Sequence, residues 1–340
     1  MMTKNNTAKW AHYSIILITI VLALFYLGSV FLPFILALFL TILLLPIAQV
    51  LDKLWFPRWL SAFIAVGILT SIVGGIGFFL FKEIEVMVND LPSMISRENM
   101  AINQAQKLFN SPDVAVKVNK YSQDLIEFGM FYLKQSVSYI SSTLFMVAMI
   151  PIYIFFMLMS RDRIDAYLSA RYGESNQQAM QVVKDVKKSI QHYILGLTTV
   201  IIVVSVLLAI GLYFLEIPYW LLLAVLCGLL GIFPYIGVAI GALLPLTIAL
   251  LTKDALWYPF AVLGLFVLVQ FLEGNIITPN IIGNAVNINP VALILALLFM
   301  GVISGILGLI LTIPTLAVMR ILMESSDELR PYAKLLAQKE

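Results

Sequence analysis

The segment 219-YWLLLAVLCGLLGIFPYIGVAIGALLPLTIALL-251 contains thirty-three residues and no charged side chain. The run Phe233–Gly237 interrupts its middle, so each apolar arm has about 14 residues, fewer than the ~20 that an α-helix needs to cross a bilayer. Gly237 and Gly241 lie four positions apart, a spacing that lets membrane helices pack closely. The segment therefore predicts a broken, re-entrant helical hairpin within a membrane. Two ordinary spans joined by a tight turn are the alternative.

The whole chain has the composition of a membrane protein. Of its 340 residues, 61% are hydrophobic and 12% are charged, whereas a soluble domain has about 45–50% and about 25%. The net charge of +2 excludes a basic nucleic-acid-binding protein, and a single cysteine, Cys227, excludes a disulfide scaffold. Strand-like alternation is absent, and helices satisfy their own backbone hydrogen bonds in lipid. We therefore predict an all-α polytopic membrane protein with about eight membrane helical segments.

The first half of the chain predicts four membrane spans. They lie near residues 13–28, 30–51, 59–81 and 137–160. Together they make an N-terminal four-span scaffold, residues 1–160. Apolar residues at every third or fourth position predict that the insert 82–136 forms helices. These helices either pack only on each other or also contact neighbouring subunits.

Basic residues decide the predicted orientation of the spans. Lys and Arg outnumber Asp and Glu in segments 1–12, 52–58 and 161–192, but not in the insert 82–136. Cytoplasmic loops carry an excess of Lys and Arg. We therefore expect the N terminus in the cytoplasm and the insert to be extracytoplasmic. The order of spans and hairpins in the second half, described next, places the C terminus in the cytoplasm as well. Residues 161–192 are then a cytoplasmic amphipathic helical linker, and 324–340 are a cytoplasmic tail.

Residues 193–323 are predicted to be the transport core. Between Ser189 and Met319, four side chains are charged. The order is a span, a broken hairpin, a second span and a second broken hairpin, which makes two inverted units, 193–252 and 255–323. Matching segments interrupted by Gly and Pro in two halves indicate the binding site of a secondary transporter. The residues expected to shape or gate the hairpins are Pro234, Tyr235, Gly237, Gly241, Pro245, Pro279, Gly283, Pro290, Gly301, Gly305, Gly308 and Pro314.

A polar segment, residues 270–290, separates the second span of this core from the second hairpin. Its amide side chains donate and accept hydrogen bonds without ionising, which suits an uncharged polar solute. Glu273 is the only acid between Ala255 and Met323, and an ionisable group inside a membrane is by default a functional-site hypothesis. The alternative is that Glu273 is a solvated helix end. The predicted substrate pathway consists of Gln270, Glu273, Asn275, Thr278, Asn280, Asn284, Asn287 and Asn289.

The sequence lacks the common catalytic and metal-binding motifs. His12 and His192 are its only histidines and cannot by themselves form a His-rich metal site. The motifs H-E-x-x-H, G-x-S-x-G and G-x-x-x-x-G-K do not occur, and absence of the last argues against direct ATP coupling. We therefore predict a protein that is not an enzyme and has no cofactor and no metal site.

Several short motifs together resemble the autoinducer-2 exporter family of bacterial permeases. The matching residues are Tyr193 and Gly196, Phe233–Gly237 with Pro245, Gln270 and Glu273 with Pro279, Gly283 and Pro290, and Gly301, Gly305, Gly308 and Pro314. The resemblance covers most of the chain and is most specific over 191–314. It implies the export of small solutes, with the autoinducer-2 signal as the substrate that names the family. It also implies a homo-oligomer, such as a pentamer, in the bacterial inner membrane.

Three functions are compatible with these observations. The first is a secondary transporter that exports a small polar solute, such as an autoinducer-2-like signal molecule or a related metabolite, by alternating access. The second is a sodium (cation)/proton antiporter with Glu273 as the coupling acid, because the family includes members described in this way. The third is a non-transporting scaffold that recruits partners through 82–136. The expected partners are the lipid bilayer, a small polar solute, a coupling proton or sodium ion and further copies of the chain.

Overall fold

In a computed structural model of the chain, the described residues are 31–95, 120, 148–172, 177–234, 236–253, 255, 257–283 and 288–337. The span predicted at 13–28 and most of the insert 82–136 lie outside them. Every regular element within the described ranges is helical, and they contain no strand. Five of these helices are long and apolar enough to cross a membrane, and three shorter helices of 10–17 residues are also apolar. The predicted all-α polytopic membrane fold is therefore confirmed.

The described helices are numbered along the chain. They are α1 (Phe31–Lys53), α2 (Arg58–Ile95), α3 (Ala148–Met159), α4 (Arg161–Tyr172), α5 (Gln177–Phe214), α6 (Trp220–Leu230), α7 (Ile236–Thr252), α8 (Trp257–Leu272), α9 (Thr278–Ile281), α10 (Pro290–Glu324) and α11 (Arg330–Leu336). A π-helical turn, Glu273–Ile277, joins α8 to α9.

The predicted spans in the first half coincide with helices wherever they are described. The span expected at 30–51 is α1, and the span at 59–81 lies within α2. Helix α2 continues to Ile95 because apolar residues keep their helical spacing beyond the span, and Val88 among them is buried. Helix α3 covers the described part of the span expected at 137–160.

Two helices occupy the described part of the predicted linker 161–192. Helix α4 covers its beginning. Helix α5 covers its end and continues without a break through the span expected at 193–215. The predicted apolar face of this helix is buried at Ile190 and Tyr193. The end of the linker is therefore an extension of a membrane helix.

The helices form two compact units. The described part of the first unit comprises residues 31–67, 148–172, 177–193 and 288–337, and that of the second comprises 68–95, 120, 194–234, 236–253, 255 and 257–283. Helices α2 and α5 contribute residues to both units. Each unit contains one of the two predicted hairpins.

In the first unit, α1 packs against α3 and the beginning of α5. The Phe34 and Tyr153 rings meet edge to face with their centroids 5.7 Å apart, and Ile154 is fully buried. The Gln191 side-chain amide donates a 2.7 Å hydrogen bond to the carbonyl oxygen of Ile42. Packing and a polar contact between helices therefore both hold this unit together.

Helix α10 reverses direction at Gly305. This residue has φ 58° and ψ −143°, a conformation essentially restricted to glycine. A Cβ atom added at Gly308 would overlap the Met300 carbonyl oxygen, and one added at Gly301 would lie 3.1 Å from the Leu309 side chain. Eight residues of continuous helix rise about 12 Å, so these contacts require a reversal. The second predicted hairpin is therefore confirmed.

In the second unit, α6 and α7 form the first predicted hairpin. A Cβ atom added at Gly237 would overlap the Leu230 carbonyl oxygen, and one added at Gly241 would lie 3.5 Å from the Cα of Cys227. The Cys227 thiol donates a 3.0 Å hydrogen bond to the Gly241 carbonyl oxygen. These contacts confirm the close packing predicted from the glycine spacing. Helix α6 has 11 residues and rises about 16 Å, roughly half of the ~30 Å hydrocarbon layer.

An apolar core joins this hairpin to α5 and α8. Small residues allow the close approach, because a Cβ atom at Gly211 would overlap the Leu265 side chain and one at Gly228 would overlap the Ser205 hydroxyl. The hairpin is therefore closely packed within the second unit. The buried side chains of this core include Leu208, Leu212, Leu223, Ala224, Ile248, Ala249, Val262, Phe266 and Val269.

Candidate functional site

Helix α8 does not end where the polar segment begins, but continues into α9 through the π-helical turn Glu273–Ile277. In this turn the Thr278 N–H donates to the Glu273 carbonyl oxygen five residues earlier. Pro279 supplies a local reason, because it lacks an N–H and its ring would collide with the Asn275 carbonyl of a regular α-helix. Single π-turns inside α-helices occur frequently at functional sites. The turn is therefore a candidate functional feature.

The π-turn brings together three residues of the predicted pathway, which we call the Glu273 cluster. Gln270 Nε2 donates a 2.6 Å hydrogen bond to Glu273 Oε2, and the Thr278 hydroxyl donates to Glu273 Oε1. In a regular α-helix, neighbours on one face are three or four residues apart, so Thr278 would lie away from Glu273. The extra residue of the π-turn returns Thr278 to that face. Both carboxylate oxygens are thus held by uncharged donors.

The Glu273 cluster lies on a helix face that is otherwise apolar. Gln270 is exposed, and the neighbouring Val267 and Phe271 are 63% and 59% exposed. A carboxylate and an amide facing hydrocarbon would be strongly unfavourable, so such groups line protein contacts or a water-filled cavity. The exposed face of α8 around Gln270 is therefore a candidate for a protein contact or for a polar path.

The other asparagines of the predicted pathway have different surroundings. Asn275 donates a 2.8 Å hydrogen bond to the carbonyl oxygen four residues earlier, and Asn280 is exposed. Asn289 caps α10, since its side-chain oxygen accepts a 2.9 Å hydrogen bond from the N–H two residues later. Asn284 and Asn287 lie outside the described residues.

The predicted hairpin-shaping residues mostly occupy turns or helix interiors. Pro234 lies in the turn between α6 and α7, whereas Tyr235 lies outside the described residues. Gly283 has φ +51°, a left-handed conformation that favours glycine. The remaining prolines are helical: Pro245 inside α7, Pro279 in α9, Pro290 at the start of α10 and Pro314 inside α10.

A charged cavity in the first unit was missed by the sequence reasoning, which treated its residues only as loop charges. We call it the interfacial cavity. It has a volume of about 350 Å³. The sequence did contain a signal for this cavity, because side chains of opposite charge lie at the ends of successive predicted helices. Its lining residues are Gln49, Asp52, Phe56, Pro57, Arg58, Arg161, Asp162 and Asp165. Within the described ranges, no group of three or more His, Cys, Asp or Glu is placed to hold a metal ion.

The profile of the AI-2E family transporter matches residues 14–327, which include both hairpins and the Glu273 cluster. The chain belongs to the AI-2E family of transporters. The resemblance stated from the motifs is therefore confirmed, and the chain is a multi-pass membrane transporter. This placement rests on nearly the whole chain rather than on one motif.

Relatives of this AI-2E family transporter match along most of their length. YrrI of Bacillus subtilis, described by its name as a candidate transport protein, is 29% identical over 87% of this chain and 86% of its own. The AI-2 transport protein TqsA of Escherichia coli is 21% identical over 94% of this chain and 93% of its own. PerM of Escherichia coli, named as a candidate permease, is 24% identical over 70% of this chain and 67% of its own. These similarities agree with a transporter rather than an enzyme.

Proposed function

We propose that this AI-2E family transporter exports a small, uncharged polar solute, such as an autoinducer-2-like signal molecule or a related metabolite. The observation that carries the proposal is the Glu273 cluster on an otherwise apolar membrane helix. The name of the relative TqsA, an AI-2 transport protein, supports this class of substrate.

The chemistry of the cluster suits a hydroxylated solute. Each carboxylate oxygen of Glu273 has two lone pairs, and each already accepts one hydrogen bond. One lone pair per oxygen therefore stays open to a hydroxyl group of the solute. The amide of Gln270 has a second N–H and a carbonyl oxygen to offer. The Glu273 cluster can thus both donate hydrogen bonds to the solute and accept them from it without a change of charge.

The two hairpins supply elements for alternating access. Their arms touch backbone to backbone at Gly237 and Gly308, and such close packing favours motion of each hairpin as a rigid body. In our proposal, motion of the hairpins exposes the Glu273 cluster to each side of the membrane in turn. A homo-oligomer such as a pentamer, an ion-coupled cycle and two cytoplasmic termini remain predictions within this proposal.

The test is efflux of autoinducer-2 from proteoliposomes that contain the parent or a Thr278→Val variant. Valine keeps the shape of threonine but removes the hydrogen bond to Glu273, so we expect transport to fall roughly tenfold, as for the loss of one hydrogen bond to a charged group. Thr198→Val is the matched control, since within the described part of the chain the Thr198 hydroxyl donates only to the carbonyl of Ile194 in its own helix. Equal transport by the parent and Thr278→Val would refute a role for the Thr278–Glu273 contact in transport.

A sodium/proton antiporter is the second candidate, and one observation favours it. The Thr278 hydroxyl oxygen lies beside the Glu273 carboxylate, and Na⁺ as a hard cation prefers oxygen ligands. The separating experiment follows a pH gradient across proteoliposomes after sodium is added. Dissipation that Glu273→Gln abolishes supports antiport, whereas an unchanged gradient excludes it.

A further inference from the structure

The interfacial cavity lies where three helices of the first unit end. Helix α1 ends at Lys53, α2 begins at Arg58 and α4 begins at Arg161. The membrane-length helices α1 and α2 lie on either side of the 54–57 turn, so the cavity is at the level of lipid headgroups. Its volume of about 350 Å³ falls within the usual range for a small-ligand site.

Two charged groups in this cavity are only partly satisfied. Arg161 Nη2 pairs with Asp52 Oδ2. The other guanidinium arm, Arg161 Nη1, and the other carboxylate oxygen, Asp52 Oδ1, are buried and have no hydrogen-bond partner among the described residues. The Arg161 side chain is nine-tenths buried, with 10% of its surface exposed. Buried polar groups are nearly always hydrogen-bonded, so these two atoms call for a ligand that both accepts and donates.

The charges around the cavity balance. Arg58 pairs with Asp162, and Lys187 Nζ lies 3.0 Å from Asp165 Oδ1. The lining itself holds two cations, Arg58 and Arg161, and three carboxylates, Asp52, Asp162 and Asp165. Lys187, which does not line the cavity, supplies the third positive charge through its pair with Asp165, and Arg161 Nε also lies 3.8 Å from Asp162 Oδ1. A net anion or a net cation would have no counter-charge here. A zwitterion, which carries one group of each sign, fits the balance.

Exposed apolar side chains next in sequence to the lining residues Phe56 and Arg58 indicate that the zwitterion belongs to a lipid. Trp55 is 96% exposed and has φ 68°, although bulky residues disfavour this left-handed conformation. Trp59 is 55% and Leu54 61% exposed. Tryptophan is enriched at the depth of the headgroups, where its apolar ring and N–H are both satisfied. These side chains would surround the glycerol and upper acyl chains of a lipid whose headgroup entered the cavity.

We propose that the interfacial cavity binds the headgroup of a zwitterionic aminophospholipid. The lipid phosphate accepts hydrogen bonds from Arg161 Nη1, and the primary ammonium donates to Asp52 Oδ1. Asp162 and Asp165 are already paired with Arg58 and Lys187, which leaves Asp52 Oδ1 as the acceptor for the ammonium. This site is separate from the proposed solute path and does not depend on it.

The first test uses the parent protein in detergent and counts bound lipids by native mass spectrometry. Phosphatidylethanolamine is compared with phosphatidylcholine, which has the same phosphate and charge but no N–H donor, and with phosphatidylglycerol, which has no cation. We expect phosphatidylethanolamine to bind roughly tenfold more tightly than either. Equal binding of the three lipids overturns the proposal. Displacement by soluble glycerophosphoethanolamine at the same concentration also overturns it, because the occupant would then be a free solute.

The second test uses Arg161→Lys. Lysine can keep the ion pair with Asp52 but has no second guanidinium arm, so the preference for phosphatidylethanolamine should fall by roughly tenfold. Arg330→Gln is the control, since this exposed arginine does not line the cavity. Unchanged preference in Arg161→Lys would refute the assignment. If that variant fails to fold, the comparison of the three lipids on the parent protein still tests the proposal.

Discussion

Substitution of Gly305 by alanine tests the reversal in α10, because the two possible structures predict opposite signs. Among the described residues, a Cβ atom at this position would meet no atom within 4 Å, so we attribute the effect to the backbone. The observed φ of 58° with ψ −143° lies in a region that costs a residue other than glycine about 1–3 kcal/mol. A continuous helix from Pro290 to Glu324 would instead gain about 0.5–1 kcal/mol from the same change.

The assay is unfolding of the purified protein in mixed micelles with increasing dodecyl sulfate, followed by circular dichroism. Gly264→Ala is the matched control, since Gly264 is helical and also has no atom within 4 Å of its Cβ position. We expect Gly305→Ala to lower the free energy of unfolding by about 1–3 kcal/mol and Gly264→Ala to raise it by about 0.5–1 kcal/mol. Stabilisation by Gly305→Ala would refute the reversal and, with it, the second hairpin.

Three further changes test other parts of the structure. Gly237→Ala forces a methyl group against the facing carbonyl of the first hairpin, and we expect a loss of about 1–3 kcal/mol in the same unfolding assay. Arg161→Ala leaves a partly buried carboxylate without its partner and should cost about 3–5 kcal/mol, whereas Arg58→Ala breaks a pair whose arginine is 71% exposed and should cost about 0–1 kcal/mol; equal losses would contradict the burial. Burial, together with the hydrogen bond to Asp90, raises the pKa of Tyr219 from 10.0 to about 12, and this residue lies in the turn between α5 and α6. Because the neutral phenol is favoured in the folded state, its stabilising effect is present below pH 10 and is lost as the pH rises through about 12. Tyr219→Phe should therefore remove part of the alkaline loss of stability between these values, and identical pH profiles of both proteins would disprove the contact.

Both hairpins could be predicted because their cause is local. Runs of apolar residues too short to span a bilayer, interrupted at Pro234 with Gly237 and at Gly305 with Gly308, mark the breaks in the sequence itself. The structure confirms the breaks and adds the contacts that make glycine necessary at Gly237 and Gly308. The positions of glycine and proline within these short apolar runs were therefore sufficient to predict both hairpins.

The candidate site was predicted by residue type but not by arrangement. The polar segment drew attention to Gln270, Glu273 and Thr278, yet regular helical spacing would separate Glu273 from Thr278. The π-turn that joins them depends on a widened backbone near Pro279, which hydropathy does not report. Composition alone also placed Asn289 in the substrate pathway, whereas in the structure its side chain caps the N terminus of α10.

The sequence by itself determined an all-α membrane protein with two interrupted helical hairpins, because hydropathy, chain length and backbone preference act over short stretches. Its motifs, taken together, indicated the transporter family by resemblance. Only the tertiary structure decided which polar groups meet. Asp52 and Arg161 are 109 positions apart and form one ion pair. The sequence around either residue does not predict its partner. Their pairing arises because separate helices end at one level, a consequence of packing rather than of any local pattern.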